Sequence, residues 1–211
     1  GPQGPLYGTG ALGGVYHVVT RRPDLERTGA FVAAEGSLIH DGDYGVGGQA
    51  MLNLPVSSGR LGVRAVAYAS KAPGWIDTPA GNDRNYMTMT GGRLAVRAVL
   101  AEDWTVDVAG AVQWLHVDDS QYVFSRHSRF RASTISEPQD NDFRMASVTV
   151  HGTLGSANIV AAAGFVELAQ EFSHVLRRHV HFLHAVGEVA CRVQRQDHLR
   201  HDVRLLTCPW R

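Results

Sequence analysis

Apolar and polar residues alternate with a period of two along most of the chain between residues 28 and 170. In residues 104–116, the clearest stretch, one face is almost entirely apolar and ends in tryptophans. That face consists of Trp104, Val106, Val108, Gly110, Val112 and Trp114. The other face carries residues such as Thr105, Asp107 and Gln113. Because successive side chains of a strand point to opposite faces, the pattern predicts a long, two-faced β-strand.

The same alternation predicts seven strands. Their expected bounds are 28–39, 44–55, 60–70, 87–101, 103–117, 143–154 and 157–170. These strands are longer than the 5–6 residues or so that are commonest in globular sheets. Tight connections at 56–59, 101–103 and 155–156 alternate with long polar ones at 71–86 and 121–142. Long strands with short turns on one side and long loops on the other are typical of outer-membrane barrels.

The two tryptophans of the clearest strand fit the height of a membrane. Ten steps of ~3.3 Å place Trp104 and Trp114 ~33 Å apart along the strand. A barrel tilt of ~40° reduces this to ~25 Å along the membrane normal, the height of the apolar band of such barrels. The spacing therefore predicts that Trp104 and Trp114 lie in the two interfacial girdles.

Arginines occupy the face opposite the aliphatic residues in two other strands. Arg93 and Arg97 alternate with Leu94 and Val96, and Arg64 alternates with Val63 and Ala65. In a barrel, these arginines would face a wet interior and could bind an anionic solute or form salt bridges. In the long loops, aromatic and basic residues are further ligand candidates, since aromatic rings suit a sugar or planar group. The loop candidates are Trp75, Tyr122 and Arg126.

Composition narrows the function mainly by exclusion. Lys and Arg total 20 and Asp and Glu total 20, so no net field favours nucleic acid. No run of 18 apolar residues predicts a transmembrane helix. No nucleophile elbow, P-loop or HExxH motif is present, so we expect neither an enzyme nor a cofactor.

Residues 177–211 differ from the rest of the chain. Six of the 11 histidines lie between 174 and 201, among many arginines and both cysteines, Cys191 and Cys208. The spacing His179-x-His181-x-x-His184 invites a metal hypothesis, but nothing fixes converging ligands, so no metal site is expected. The stretch predicts an irregular tail, and its abrupt change in composition is typical of a reading-frame slip.

The first 23 residues are rich in glycine and end in a short apolar run followed by Arg21-Arg22-Pro23. The run resembles the end of the plug domain of TonB-dependent outer-membrane receptors, with Pro5 as a departure from the family pattern. The matching residues are Gly1, Pro2, Gln3, Gly4, Leu6, Tyr7, Gly8, Gly10, Gly13 and Gly14. A looser resemblance extends to about residue 170, through Asn53-Leu54-Pro55 and Gly92-Arg93-Leu94.

This resemblance implies a fold and a function. The fold would be all-β: a partial antiparallel transmembrane β-barrel of about seven meandering strands in residues 26–176, preceded by the end of a plug domain in 1–25. The function would be energy-coupled import of a scarce solute, such as a ferric siderophore, across the outer membrane of a Gram-negative bacterium. The implied partners are outer-membrane lipid, the small-molecule ligand and the inner-membrane energy-coupling protein TonB, whose binding box would lie upstream.

Two other functions fit the same alternation. One is a smaller, passive outer-membrane barrel, which differs from the first in having no plug domain upstream. The other is a soluble all-β binding module, in which Leu94 and Val106 would be buried against protein instead of lipid.

Overall fold

The protein forms one antiparallel sheet in a computed structural model. The structure describes residues 19–124, 128–155 and 157–172, and three further strands by their backbone. In chain order, the long strands β1 to β7 are Gly29–Leu38, Tyr44–Ser57, Leu61–Ala72, Met87–Ala101, Trp104–Val117, Gln139–Leu154 and Ala157–Phe172. All regular secondary structure in the described residues is β, and no helix there is long and apolar enough to cross a membrane.

The seven long strands follow one another as a meander. Each pairs antiparallel with the next, and the pairing is continuous except for bulges near Ser57 and Ala101, at the end of the sheet that carries the tight turns. The seven predicted strands are confirmed, with the largest shift at β6, which begins at Gln139 instead of 143. Within the described strands no pairing joins β1 to the other end of the sheet, so the sheet has two edges.

Glycine makes two of the tight turns possible. Gly59, between β2 and β3, has φ 70°, and Gly155, between β6 and β7, has φ 62°. A residue with a Cβ is strained in this left-handed region, whereas glycine is not. Both turns can therefore be short. The long connections all lie at the opposite end of the sheet.

One face of the sheet is apolar across all seven strands. A single row of paired residues shows this: Ala30, Leu52, Ala65, Leu94, Gly110, Ala146 and Phe165. The neighbouring row, towards the tight turns, contains Leu54, Val63, Val96, Val108, Val148 and Ala163. Towards the long loops the same face becomes polar, with Lys71, Thr88, His116, Asp140 and Glu171.

Nothing among the described residues covers this apolar face. Leu94 is 53% exposed, Leu52 43% and Val108 42%, although they lie in the interior of the meander. Proline and glycine aside, Ile76 and Ala95 are the only apolar residues of the described part that are buried. The described residues therefore bury little apolar side-chain surface against one another.

Residues 177–211 contain three short strands, which corrects the prediction of an irregular tail. These are β8, Val180–His184, β9, Ala190–Arg195, and β10, Val203–Thr207. β8 pairs with one part of β7 and β9 with another part, while β10 pairs with β9. The alternation of apolar and polar residues is weak in these strands, so the sequence pattern did not reveal them.

Candidate functional site

The segment 19–28 lies across the polar face of the sheet and is held there by Asn53 of β2. The Asn53 side chain is 2% exposed and makes three hydrogen bonds to the backbone of the segment. Its Oδ1 accepts from Asp24 N at 2.9 Å, and its Nδ2 donates to the carbonyl oxygens of Asp24 at 3.0 Å and Arg27 at 2.7 Å. Gly62 of β3 makes the close approach possible, because an added Cβ there would meet Leu25 and Asp24.

We expect Asn53→Asp to release this segment. A carboxylate cannot donate to the two carbonyl oxygens that Asn53 satisfies, and an unsatisfied buried polar group costs about 1–3 kcal/mol. Trypsin should then cut faster after Arg21 and Arg27, since the bond after Arg22 precedes Pro23 and resists trypsin. Gln49→Glu is the matched control, since Gln49 lies on the same strand and face but is exposed. Equal cleavage of the two variants would show that Asn53 does not hold the segment.

Asp107 of β5 links the same segment to the sheet through charge. Its carboxylate lies 3.7 Å from Arg22 Nε, 3.6 Å from Arg97 Nε and 3.9 Å from His151 Nε2. Next to it, Arg93 Nη2 donates to the carbonyl oxygen of Arg21 at 3.0 Å. One carboxylate therefore lies within ion-pair distance of two guanidinium groups and an imidazole.

A pocket of about 200 Å³ lies between the segment and the sheet. Its charged lining consists of Arg21, Arg22, Arg93 and Asp107. Ser147 and Thr149 of β6 add two hydroxyl groups. Because guanidinium groups and hydroxyls are hydrogen-bond donors, this lining suits an oxygen-rich anion.

A second pocket, of about 280 Å³, lies on the same face nearer the long loops. Its polar lining includes Glu35, Gln49, Tyr68 and Ser70. Tyr68 is fixed by a hydrogen bond from its hydroxyl to Gln113 Oε1 at 2.7 Å. The polar face thus offers two concave sites of different chemistry, one rich in arginine and one of mixed amide, hydroxyl and carboxylate groups.

The two long loops, residues 73–86 and 118–138, pack on each other. Asp77 of the first loop is bridged to the second, since its N donates to Arg129 O at 2.9 Å and its O accepts from Arg131 N at 2.8 Å. Arg84 pairs with Asp118 at 3.0 Å, and Asn85 Nδ2 donates to Gln121 Oε1 at 3.0 Å. The sequence alone predicted two separate polar loops, whereas the described parts form one unit.

Arg131 is the buried centre of this unit. Its side chain is 0% exposed and forms ion pairs with Asp119 and, at 2.8 Å, with Glu137. Its Cζ lies 5.5 Å from the ring centroid of Tyr122, in a cation–π contact. Asp119 Oδ1 also accepts from the backbone N of Ser120 and Glu137. These contacts fix Tyr122 relative to the two carboxylates.

The pKa of Glu137 lies below its ordinary value of 4.5, because the Ser120 hydroxyl donates to the carboxylate and Arg131 pairs with it. A lowered folded-state pKa gives stability that is complete above the ordinary value and is lost as the pH falls through the lowered one. The loops should therefore loosen below about pH 4.5.

Glu137→Gln should weaken this acid dependence, because an amide does not titrate. Hydrogen exchange of the loop amides, followed between pH 3 and pH 7 or thereabouts, measures it. Glu102→Gln, in the tight turn between β4 and β5, should leave the profile as it is in the unaltered protein. An unaltered profile in Glu137→Gln would mean that another group governs the loops.

The predicted site residues fall into three groups. Arg64, Arg93 and Arg97 all lie on the polar face, as predicted, and two of them contact the segment 19–28 or Asp107. Trp75 and Tyr122 lie in the paired loops, Trp75 half-buried and Tyr122 48% exposed, with Phe124 in edge contact with Tyr122. Arg126 and the glycine-rich motif, Gly1 to Gly14, fall outside the described residues.

The two tryptophans predicted for the girdles lie on the apolar face. Trp114 is 45% exposed, and the ring of Trp104 lies over Gly152 of β6, where any larger residue would overlap it. They lie near opposite ends of β5. Trp104 and Trp114 thus share one face of β5, as the alternation of apolar and polar residues in 104–116 predicts.

Sequence reasoning missed the residues that join distant parts of the chain. Asn53, Asp107 and Arg131 were not among the candidates, because burial and partners decide their roles. A weak signal exists for Asp107, the only acidic residue inside the polar face of its strand. The sequence gives no signal that Arg131 is buried, since an arginine in a loop is usually exposed.

No cluster of metal-ligating side chains occurs in the part of the chain whose side chains are described. No family model, curated protein or solved structure matches the chain. The two faces of the sheet and the loop unit are therefore the features that bear on function.

Proposed function

We propose that this chain is part of an energy-coupled outer-membrane receptor of the TonB-dependent class, which imports a scarce solute such as a ferric siderophore. The observation that carries the proposal is the two-faced sheet. One face is apolar and exposed across seven long strands, and the other is polar. In a membrane barrel, the first kind of face contacts lipid and the second surrounds a wet interior.

Lipid accounts best for the exposed apolar face. Apolar patches on soluble monomers rarely exceed a few hundred Å², because larger ones drive association. Here the apolar rows continue through β2 to β7, with no covering layer in the described residues. The polar end of the same face, with Lys71, His116 and Asp140, then lies at the level of the headgroups, next to the long loops.

The segment on the polar face supports a receptor over a passive barrel. If residues 1–25 are the end of a plug domain, the chain must pass from the barrel interior into the first strand. The segment 19–28 follows such a course, since it is fixed to the polar face by Asn53 and Asp107 and leads directly into β1. Paired long loops at one end of the sheet would form part of the outer entrance.

Uptake by cells tests the proposal. The full reading frame that contains this chain is expressed in a Gram-negative host that lacks its own ferric citrate receptor, with and without the host's coupling protein, and uptake of radioactive ferric citrate is measured. We expect the protein in the outer-membrane fraction and uptake that disappears without the coupling protein. Uptake that persists without it would indicate a passive barrel, and a protein absent from the membrane fraction would indicate a soluble module.

A further inference from the structure

We infer that the arginine-rich pocket under the segment 19–28 is an oxyanion site that takes a carboxylate or phosphate group of the imported solute. The inference deepens the proposed function and rests on it for the identity of the solute. The described residues bring together the charges, the hydrogen-bond donors and the space that such a site needs.

Positive charge exceeds negative charge around the pocket. Three arginines, Arg21, Arg22 and Arg93, line the pocket. Arg97 lies beside it, 3.6 Å from Asp107, and Arg64 lies on the neighbouring strand opposite Ala95. Asp107 is the only carboxylate in the pocket lining, and it is already shared by Arg22 and Arg97. Among the described residues, Arg21, Arg64 and Arg93 form no ion pair.

The arginines are held close together although their charges repel. Arg64 pairs across the strands with Ala95, which lines the pocket between Arg93 and Arg97. Arg64 and Arg93 occupy neighbouring positions on the polar face, since Arg64 is paired with Ala95 and Val66 with Arg93. Clustered like charges are unfavourable unless an opposite charge joins them, so the arrangement favours binding of an anion.

Two guanidinium nitrogens of the cluster are buried without a hydrogen-bond partner among the described residues. They are Arg64 Nε and Arg93 Nη1, and the two carboxylate oxygens of Asp107 in the same lining also lack a hydrogen-bond partner. A buried donor without a partner is costly, and an oxyanion supplies charged acceptors that form short, strong bonds with guanidinium groups. Ser147 and Thr149 add hydroxyl donors from the other side of the pocket.

The glycine-rich stretch before the segment does not supply the missing charge. Residues 1–18 contain no aspartate or glutamate. In contrast, the second pocket on this face contains Glu35 and so repels an anion. The arginine pocket is therefore the more favourable place on the polar face for an acidic group.

Binding of simple anions to the full 211-residue chain in detergent micelles tests the inference. Inorganic phosphate and citrate are titrated separately at low ionic strength, with calorimetry as the readout. We expect binding that weakens with added salt, and Arg93→Met should reduce the affinity about tenfold, the size of one lost charge-assisted hydrogen bond. Arg60→Met, in the tight turn after β2, is the control and should bind as the unaltered chain does.

Phenylglyoxal, which modifies arginine, provides a readout that needs no variant. Phosphate or citrate should protect Arg21 and Arg93 but not Arg60, as measured by mass spectrometry. Stronger protection by citrate supports a solute with several carboxylates, and equal protection supports a single oxyanion group, free or attached.

Absence of both binding and protection in a chain with an intact β-sheet spectrum would overturn the site. Equal loss of affinity in Arg60→Met and Arg93→Met would do the same. Failure of the receptor proposal can be told apart from failure of the anion site. It would appear as loss of coupled uptake in cells, while the chain would still bind phosphate and citrate.

Discussion

Arg131→Met is expected to separate the two long loops and to reduce the free energy of unfolding of the loop unit by about 3–5 kcal/mol. The arginine is fully buried between Asp119 and Glu137, and Asp119 is only 5% exposed. Removing one partner of a buried ion cluster leaves the other charges desolvated and unpaired. Methionine keeps the unbranched apolar stem of the side chain, so the effect reports mainly on the lost guanidinium group.

Hydrogen exchange of the amides near Asp77 and Asn85 measures this effect. Arg129→Met is the matched control, since its ion pair with Asp77 is partly exposed and should contribute at most about 1 kcal/mol. Adding Asp119→Asn and Glu137→Gln to Arg131→Met should recover part of the loss, because no unpaired charge then remains. Similar effects of Arg131→Met and Arg129→Met would contradict the buried cluster.

Leu52→Arg is expected to destabilise the protein in a bilayer by about 2–4 kcal/mol, the cost of an arginine near the midplane on a lipid-facing strand position. Leu52 lies in the middle of the apolar rows and is 43% exposed. In water, the same substitution at an exposed site would change stability by no more than about 0.5 kcal/mol. The size of the effect therefore shows whether lipid or water contacts this face.

Gln49→Arg on the same strand provides the comparison. Gln49 lies on the polar face near Glu35, where a positive charge is favourable. Denaturant unfolding from lipid vesicles should separate the two variants clearly. If Leu52→Arg is as stable as Gln49→Arg, the apolar face does not contact lipid.

The strands could be predicted because each has one face of uniform chemistry. In β4 and β5, apolar residues recur at every second position, and a slip of one residue would move all of them to the other face. β6 was the exception. Its first residues are Gln139, Asp140 and Asn141, which resemble a loop, yet pairing extends the strand, and His116 Nδ1 lies 2.6 Å from Asp140 Oδ1.

The loop unit and the arginine pocket could be predicted only in part. The face of Arg93 and Arg97 follows from period two, whereas their meeting with Arg21 depends on where the segment 19–28 crosses the sheet. That crossing is fixed by Asn53, whose partners are 26 and 29 residues away in the chain. A one-dimensional pattern carries no information about contacts of this kind.

The apolar face is also where the structure and the sequence pattern bear most directly on function. The pattern predicts which residues alternate, but it does not distinguish a face that contacts lipid from one that contacts a second sheet. The described structure leaves the face uncovered, with Leu94, Val108 and Trp114 exposed. What contacts these side chains in the working protein decides between membrane barrel and soluble module.

Quenching of tryptophan fluorescence by lipids with brominated acyl chains tests this most directly. Variants of the full chain that keep a single tryptophan, Trp75, Trp104 or Trp114, are folded in such vesicles and compared with vesicles of ordinary lipid. We predict quenching of Trp104 and Trp114, on the apolar face, and none of Trp75, in the loops. A monodisperse protein that stays in the aqueous phase, with Trp104 and Trp114 unquenched, would contradict the membrane account.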